Sequence, residues 1–128
     1  MCLVTIQLEP KIADKDIVCY KLVRRPKIKG VYKSNFRGFE YIIRQLYTNN
    51  LDIKFANTIM KHSFYKCFYK IEKDMFHSYA SNLYPILSPL PNHTLLKCII
   101  PKGAYYFKGF FEFFPSYASS QIKILEEI

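Results

Sequence analysis

The run Ile-Val-Cys-Tyr-Lys-Leu-Val at residues 17–23 constrains this chain more than any other stretch. It is β-branched and aromatic, and a two-residue period divides it cleanly. Val18, Tyr20 and Leu22 fall on one face, and Ile17, Cys19, Lys21 and Val23 on the other. Arg25-Pro26 ends it, because proline has no N–H to give to a ladder. A strand of this kind needs partners. Residues 2–8 read as a short strand closed by Glu9-Pro10, and residues 10–16 as a linker or a single turn. Residues 63–71 read as a long half-exposed strand, 95–100 as a buried one and 121–125 as the last.

Helix has little room. Pro85, Pro89 and Pro91 bar a long one after Ser81. Residues 39–47 place Phe39, Ile42, Ile43, Leu46 and Tyr47 on one helical stripe, so helix competes there with strand. Lys29-Gly30 and residues 47–50 read as turns. Ile100-Pro101-Lys102-Gly103 fits a type I turn with proline second and glycine fourth. Residues 104–114 are aromatic and irregular. The sum predicts an α+β fold, a small and mostly antiparallel sheet with one or two short helices.

A chain of 128 residues with 50% apolar content is expected to form one domain, residues 1–128, around a core that needs no staple. An AT-rich genome accounts for the many Phe, Tyr, Ile, Lys and Asn residues, so the aromatics alone do not define a stacking platform. The net charge of +9 carries more information. Between residues 17 and 39 there is no acid, while Lys21, Arg24, Arg25, Lys27, Lys29, Lys33 and Arg37 all occur. Such a stripe attracts phosphates, nucleic acid or an acidic protein. It also suits a solvated loop in a Lys-rich proteome.

Cys2, Cys19, Cys67 and Cys98 stand far apart and form no C-x-x-C, and His62, His77 and His93 make no pair at helical spacing. Structural zinc is therefore not expected, and no cofactor is indicated. Residues 2–8 are too short for a secretory signal and lack a basic flank. No apolar stretch approaches a membrane span. The expected setting is a reducing, cytoplasmic compartment, with free thiols and no membrane partner. No glycine-rich phosphate loop occurs. Glu72, Asp74 and Glu112 form no recognisable catalytic pair. A nucleophilic N-terminal Cys2, or a dyad of Cys67 or Cys98 with His77 or His93, has weaker support than ordinary core and turn roles.

Ser-Tyr-Ala-Ser occurs twice, at residues 78–81 and 116–119, each copy two positions after a phenylalanine. Aligning 76–87 with 114–125 gives seven matches in twelve, but a proline-rich tail breaks the first copy. The plainest reading is shared local geometry: two serines forming turns beside two strand ends. Duplication and a paired binding site are the alternatives.

The order of residues 1–23, GFEYIIRQLY, FHSYAS, KCIIPKGAYYFKG and SYASSQIKIL resembles a family of small uncharacterised proteins of gut Bacteroidetes and their phages. That resemblance implies an accessory protein that binds a host factor. A weaker one is to the ADP-ribosyltransferase fold, with Lys21 near the early basic position and Ser78 near the serine-centred strand. The turn at 100–103 and Gln121, where a Glu would stand, complete it. Gln for Glu removes the carboxylate that would stabilise developing positive charge.

Three functions compete. The leading one is a non-enzymatic intracellular binding protein contacting a phosphate-bearing ligand or an acidic host protein. Its candidate binding residues are Tyr20, Lys21, Arg24, Arg25, Lys27, Lys29, His77, Ser78, Tyr79, Ser119 and Gln121. The second is an ADP-ribosyltransferase-like enzyme acting on a nucleotide such as NAD, with Lys21, Ser78 and Gln121 lining a cleft. The third is a particle component assembling through residues 105–114.

Overall fold

A computed structural model describes residues 3–5, 10–28, 30–34, 39–48, 60–62, 69–71, 75–83, 91–111 and 114–128. They form strands β1 (Leu3–Thr5), β2 (Lys11–Ile12), β3 (Ile17–Arg24), β4 (Val31–Ser34), β5 (Glu40–Ile42), β6 (Leu46–Thr48), β7 (Met60–His62), β8 (Tyr69–Ile71), β9 (Phe76–Tyr79), β10 (His93–Ile100), β11 (Tyr105–Phe111), β12 (Phe114–Ser119) and β13 (Gln121–Glu127). Every pairing is antiparallel, in the order β6-β13-β10-β3-β9-β12-β11-β1-β8-β7, with β2 on β11 and the β4–β5 hairpin branching from β3. The α+β expectation is thereby corrected. Among the described residues there is no helix, and the architecture is nearly all antiparallel sheet. The ADP-ribosyltransferase-like variant of that fold class falls with it.

Strand won at residues 39–47 for a local reason. Arg44 sits at φ 68°, a left-handed conformation that breaks any helix. Its N–H donates to the Ile124 carbonyl at 2.7 Å, hooking the turn between β5 and β6 onto β13. The aromatic stretch expected to be irregular is mostly β11, in register with β12 from Tyr106↔Ser119 to Phe111↔Phe114. The linker at 10–16 contributes the two-residue β2. The turn after β10 lies one residue later than proposed: the Ala104 N–H donates to the Pro101 carbonyl at 3.0 Å, and Gly103 takes φ 90°. Glycine at the third position with positive φ makes it type II. The Asp16 carboxylate accepts from the Lys102 N–H at 2.9 Å and ties this turn to the start of β3.

β3 and β10 are the longest paired strands, in register from Ile17↔Ile100 to Arg24↔His93. The inward face of β3 is Ile17, Cys19, Lys21 and Val23, and β10 answers with Leu96, Cys98 and Ile100. Ile122 and Ile124 of β13, with Tyr32 and Tyr41 of the hairpin, complete this core. β10 alternates fully buried and half-buried residues over 95–100, so the buried strand its composition suggested is there, with Leu96, Cys98 and Ile100 on its core face. The expected strand at 63–71 is described only over β8. Cys2, Lys29, Arg37, Cys67, Glu72, Asp74, Pro85, Pro89 and Glu112 lie outside the described residues.

The Ser-Tyr echo has a structural answer. β9 and β12 are direct neighbours, with Tyr117 opposite Ser78 and Ser116 opposite Tyr79. The two Ser-Tyr dipeptides therefore face each other reciprocally about a local two-fold. On each face a small serine lies beside a large tyrosine, which lets the rings pack without crowding. Ser78 and Ser116 are buried within strands, while Ser81, just past the end of β9, accepts the Leu83 N–H at 3.4 Å as the expected serine turn.

Candidate functional site

Two groups of chemically active side chains emerge, on different parts of the sheet. The first sits where β3 changes partner. Tyr20 pairs with Tyr79 of β9, while Val23 and Arg24 pair with Ser34 and Lys33 of β4. The sheet forks between these points, at Lys21 and Leu22. Because Cys19 and Val23 must face the core, the two-residue period turns Lys21 inward as well, leaving it 8% exposed. Its ammonium donates to the His77 carbonyl at 2.5 Å and lies 5.1 Å from the centroid of the Tyr41 ring. No carboxylate among the described residues pairs with it.

Ser78 stands beside Lys21 on the same face, 1% exposed, with no hydrogen-bond partner for its hydroxyl. Cys19 and Cys98 face each other across β3 and β10. Burial pushes the Cys19 thiol up to about 11, offset in part by the nearby Ser78 hydroxyl and the Lys21 charge. That hydroxyl approaches the sulfur without reaching hydrogen-bond geometry. Burial likewise raises Cys98 to about 12. Both thiols are therefore protonated at neutral pH and poor nucleophiles. Phe39, Tyr41, Tyr47 and Phe76 close the mouth of the fork, with centroid separations from 4.9 to 6.5 Å.

His77 points to the opposite face of β9. The residue is half-buried, yet both ring nitrogens are shielded and unpartnered. Burial, followed by the Lys21 charge, lowers its pKa to about 3, so the ring is neutral at physiological pH. Tyr79 is buried on that same face. Tyr20 is half-buried on the outward face of β3, opposite Lys97. Ser119 is buried, and its hydroxyl donates to the Gln121 carbonyl at 2.9 Å and reaches the Phe76 carbonyl at 3.4 Å. Gln121 lies opposite Thr48 of β6, and strand alternation puts it on the face away from the buried Ile122 and Ile124. Lys21 and Ser78 thus come together, and Gln121 does not join them.

The second group is exposed. Across β10, β3, β4 and β5 the register places His93, Arg24, Lys33 and Glu40 in one row. Arg24, Arg25, Lys27, Lys33 and Glu40 are all exposed. Arg24 and Lys33 are direct cross-strand neighbours, about 5 Å apart by strand spacing. Like charges directly opposed are unfavourable, on the order of 1 kcal/mol in a watery setting. Glu127 reaches the other side of this end, where it accepts hydrogen bonds from the Tyr32 hydroxyl at 2.6 Å and the Thr94 hydroxyl at 2.7 Å. Those bonds, with a smaller contribution from Arg25, lower its pKa. Sequence spacing could not reveal this clamp, because 95 residues separate Tyr32 from Glu127.

Within the proposed assembly stretch, Phe107 is fully buried, Tyr105 and Tyr106 are half-buried, and Phe110 is exposed. Among its described aromatics only Phe107 is fully core, and Phe111 and Phe114 are half-buried like the two tyrosines. No helix among the described residues is long and apolar enough to cross a membrane. Those residues also contain no cluster of three or more His, Cys, Asp or Glu able to hold a metal. No family model, curated protein or solved structure matches the chain.

Proposed function

We propose that this chain is a non-enzymatic binding module that grips the phosphate backbone of a nucleic acid through Arg24, Arg25, Lys27 and Lys33. The observation that carries this reading is the direct opposition of Arg24 and Lys33 across β3 and β4, flanked by two more exposed cations. A packed sheet gains nothing from that juxtaposition. A bound phosphate turns it from a cost into a contact and releases condensed counterions. Glu40 is the one acid in the row, and Glu127 is held on the other face by Tyr32 and Thr94. The net charge of +9 brings a polyanion toward this end at long range. An accessory role of this kind suits the resemblance to small proteins of phages. The neutral, buried thiols and the separation of Gln121 from Lys21 and Ser78 weigh against catalysis.

Fluorescence anisotropy with a labelled single-stranded oligonucleotide tests the reading. Affinity is expected to fall with salt at a log–log slope of about −3, roughly −0.7 for each of four neutralised phosphates. The double reversal Arg24→Glu, Lys33→Glu is expected to reduce affinity at least tenfold and to flatten the slope. Absence of binding at low salt would overturn the proposal. So would indifference to the reversal, or equally tight binding of polyglutamate, which would make the partner an acidic protein.

A further inference from the structure

We infer that the fork of the sheet at Lys21 is a second binding site, one for a small oxyanion, a carboxylate or phosphate, carried on a planar ring. A buried ammonium is costly unless its charge is answered. Lys21 has three N–H donors, and its contacts among the described residues are one carbonyl and one aromatic face. Ser78 beside it is buried, and its hydroxyl is unused. Register sets the two together, since Tyr20 opposite Tyr79 puts Lys21 opposite Ser78. The ammonium and the hydroxyl can both donate to one anionic oxygen, which would satisfy the Ser78 hydroxyl and neutralise Lys21 in a single contact.

The ring half of the ligand follows from the mouth of the fork. Phe39 packs on Tyr41, Tyr47 and Phe76, yet remains 44% exposed. A phenyl ring left partly in water above three other rings offers a stacking face. The Tyr41 ring links the two halves, lying 4.9 Å from Phe39 by centroid and 5.1 Å from the Lys21 ammonium. The β4–β5 hairpin carries Phe39 and Tyr41 while β3 and β9 carry Lys21 and Ser78, so the site exists only where the sheet branches. It shares no side chain with the exposed row of Arg24 and Lys33.

Thermal melting with benzoate, adenosine monophosphate and inorganic phosphate as probes tests this. Both ring-bearing anions are expected to raise the melting midpoint by several degrees at saturation, and inorganic phosphate to raise it less. Lys21→Met is expected to abolish the shift, Phe39→Ala to reduce the advantage of ring-bearing anions, and Arg24→Glu, Lys33→Glu to leave both intact. That last variant separates this site from the nucleic-acid surface. If Lys21→Met does not fold, acetylation of wild-type Lys21 by N-hydroxysuccinimidyl acetate, read by mass spectrometry, replaces it. Benzoate and adenosine monophosphate are then expected to protect Lys21 at least fivefold more than they protect Lys102. No shift with any probe, a shift that survives Lys21→Met, or equal protection of the two lysines would overturn the inference.

Discussion

At the scale of single residues, buried polar groups dictate how stability responds to pH. His77 titrates near 3 in the fold because burial disfavours its charged form, against an ordinary value of 6.5. The unfolded chain therefore takes up this proton near pH 6.5, while the folded chain resists it down to about 3. The sign follows: the contribution is complete above 6.5 and is lost progressively as pH falls toward 3. Urea midpoints measured from pH 7.5 to 4 are expected to decline, and His77→Leu to flatten that decline. Tyr32 behaves oppositely. Its hydrogen bond to Glu127 raises it to about 12, so its contribution holds below 10 and fades as pH rises toward 12. Tyr32→Phe should remove that alkaline loss. Ser78→Ala is expected to be neutral or slightly stabilising in the ligand-free protein, because deleting an unpaired buried hydroxyl removes a desolvation cost.

At the scale of elements, turns decided what periodicity left open. The run at residues 17–23 was legible because it alternates, and β3 extends it by one residue. Residues 39–47 were ambiguous because their apolar spacing fits both a helical stripe and a bent hairpin. The deciding contact, the Arg44 N–H to the Ile124 carbonyl, spans 80 residues and leaves no mark on spacing. Arg44 at φ 68° holds a conformation disfavoured for a side-chain-bearing residue. Arg44→Gly is therefore expected to stabilise the protein by about 1 kcal/mol in urea unfolding. Gly103→Ala, at φ 90°, is expected to destabilise it by about 1 kcal/mol or more. Open space around a Cβ there makes the second cost one of backbone alone. The Ser-Tyr echo was visible as text, but its meaning depended on strand adjacency, which only the register of β9 and β12 supplies.

At the scale of the whole molecule, antiparallel pairing turns a basic stretch of sequence into a surface and a buried fork. The stretch from Lys21 to Arg37 read as one stripe, yet the strand period splits its described part. Lys21 goes into the core, Arg24 and Lys33 meet on the exposed face, and Arg25 and Lys27 follow in the loop. A linear reading could rank these cations only by their number. Such a topology, with β3 beside β10 and β1 beside β11, rests on pairings distant in sequence. Stopped-flow refolding is accordingly expected in milliseconds to seconds rather than microseconds. The measurement that bears most directly on the function proposed is amide chemical-shift mapping of the labelled protein titrated with a single-stranded oligonucleotide at low and high salt. Shifts concentrated at Arg24, Arg25, Lys27 and Lys33 and erased by salt are the expected result. Shifts elsewhere on the sheet, or none, would contradict the assignment of that surface.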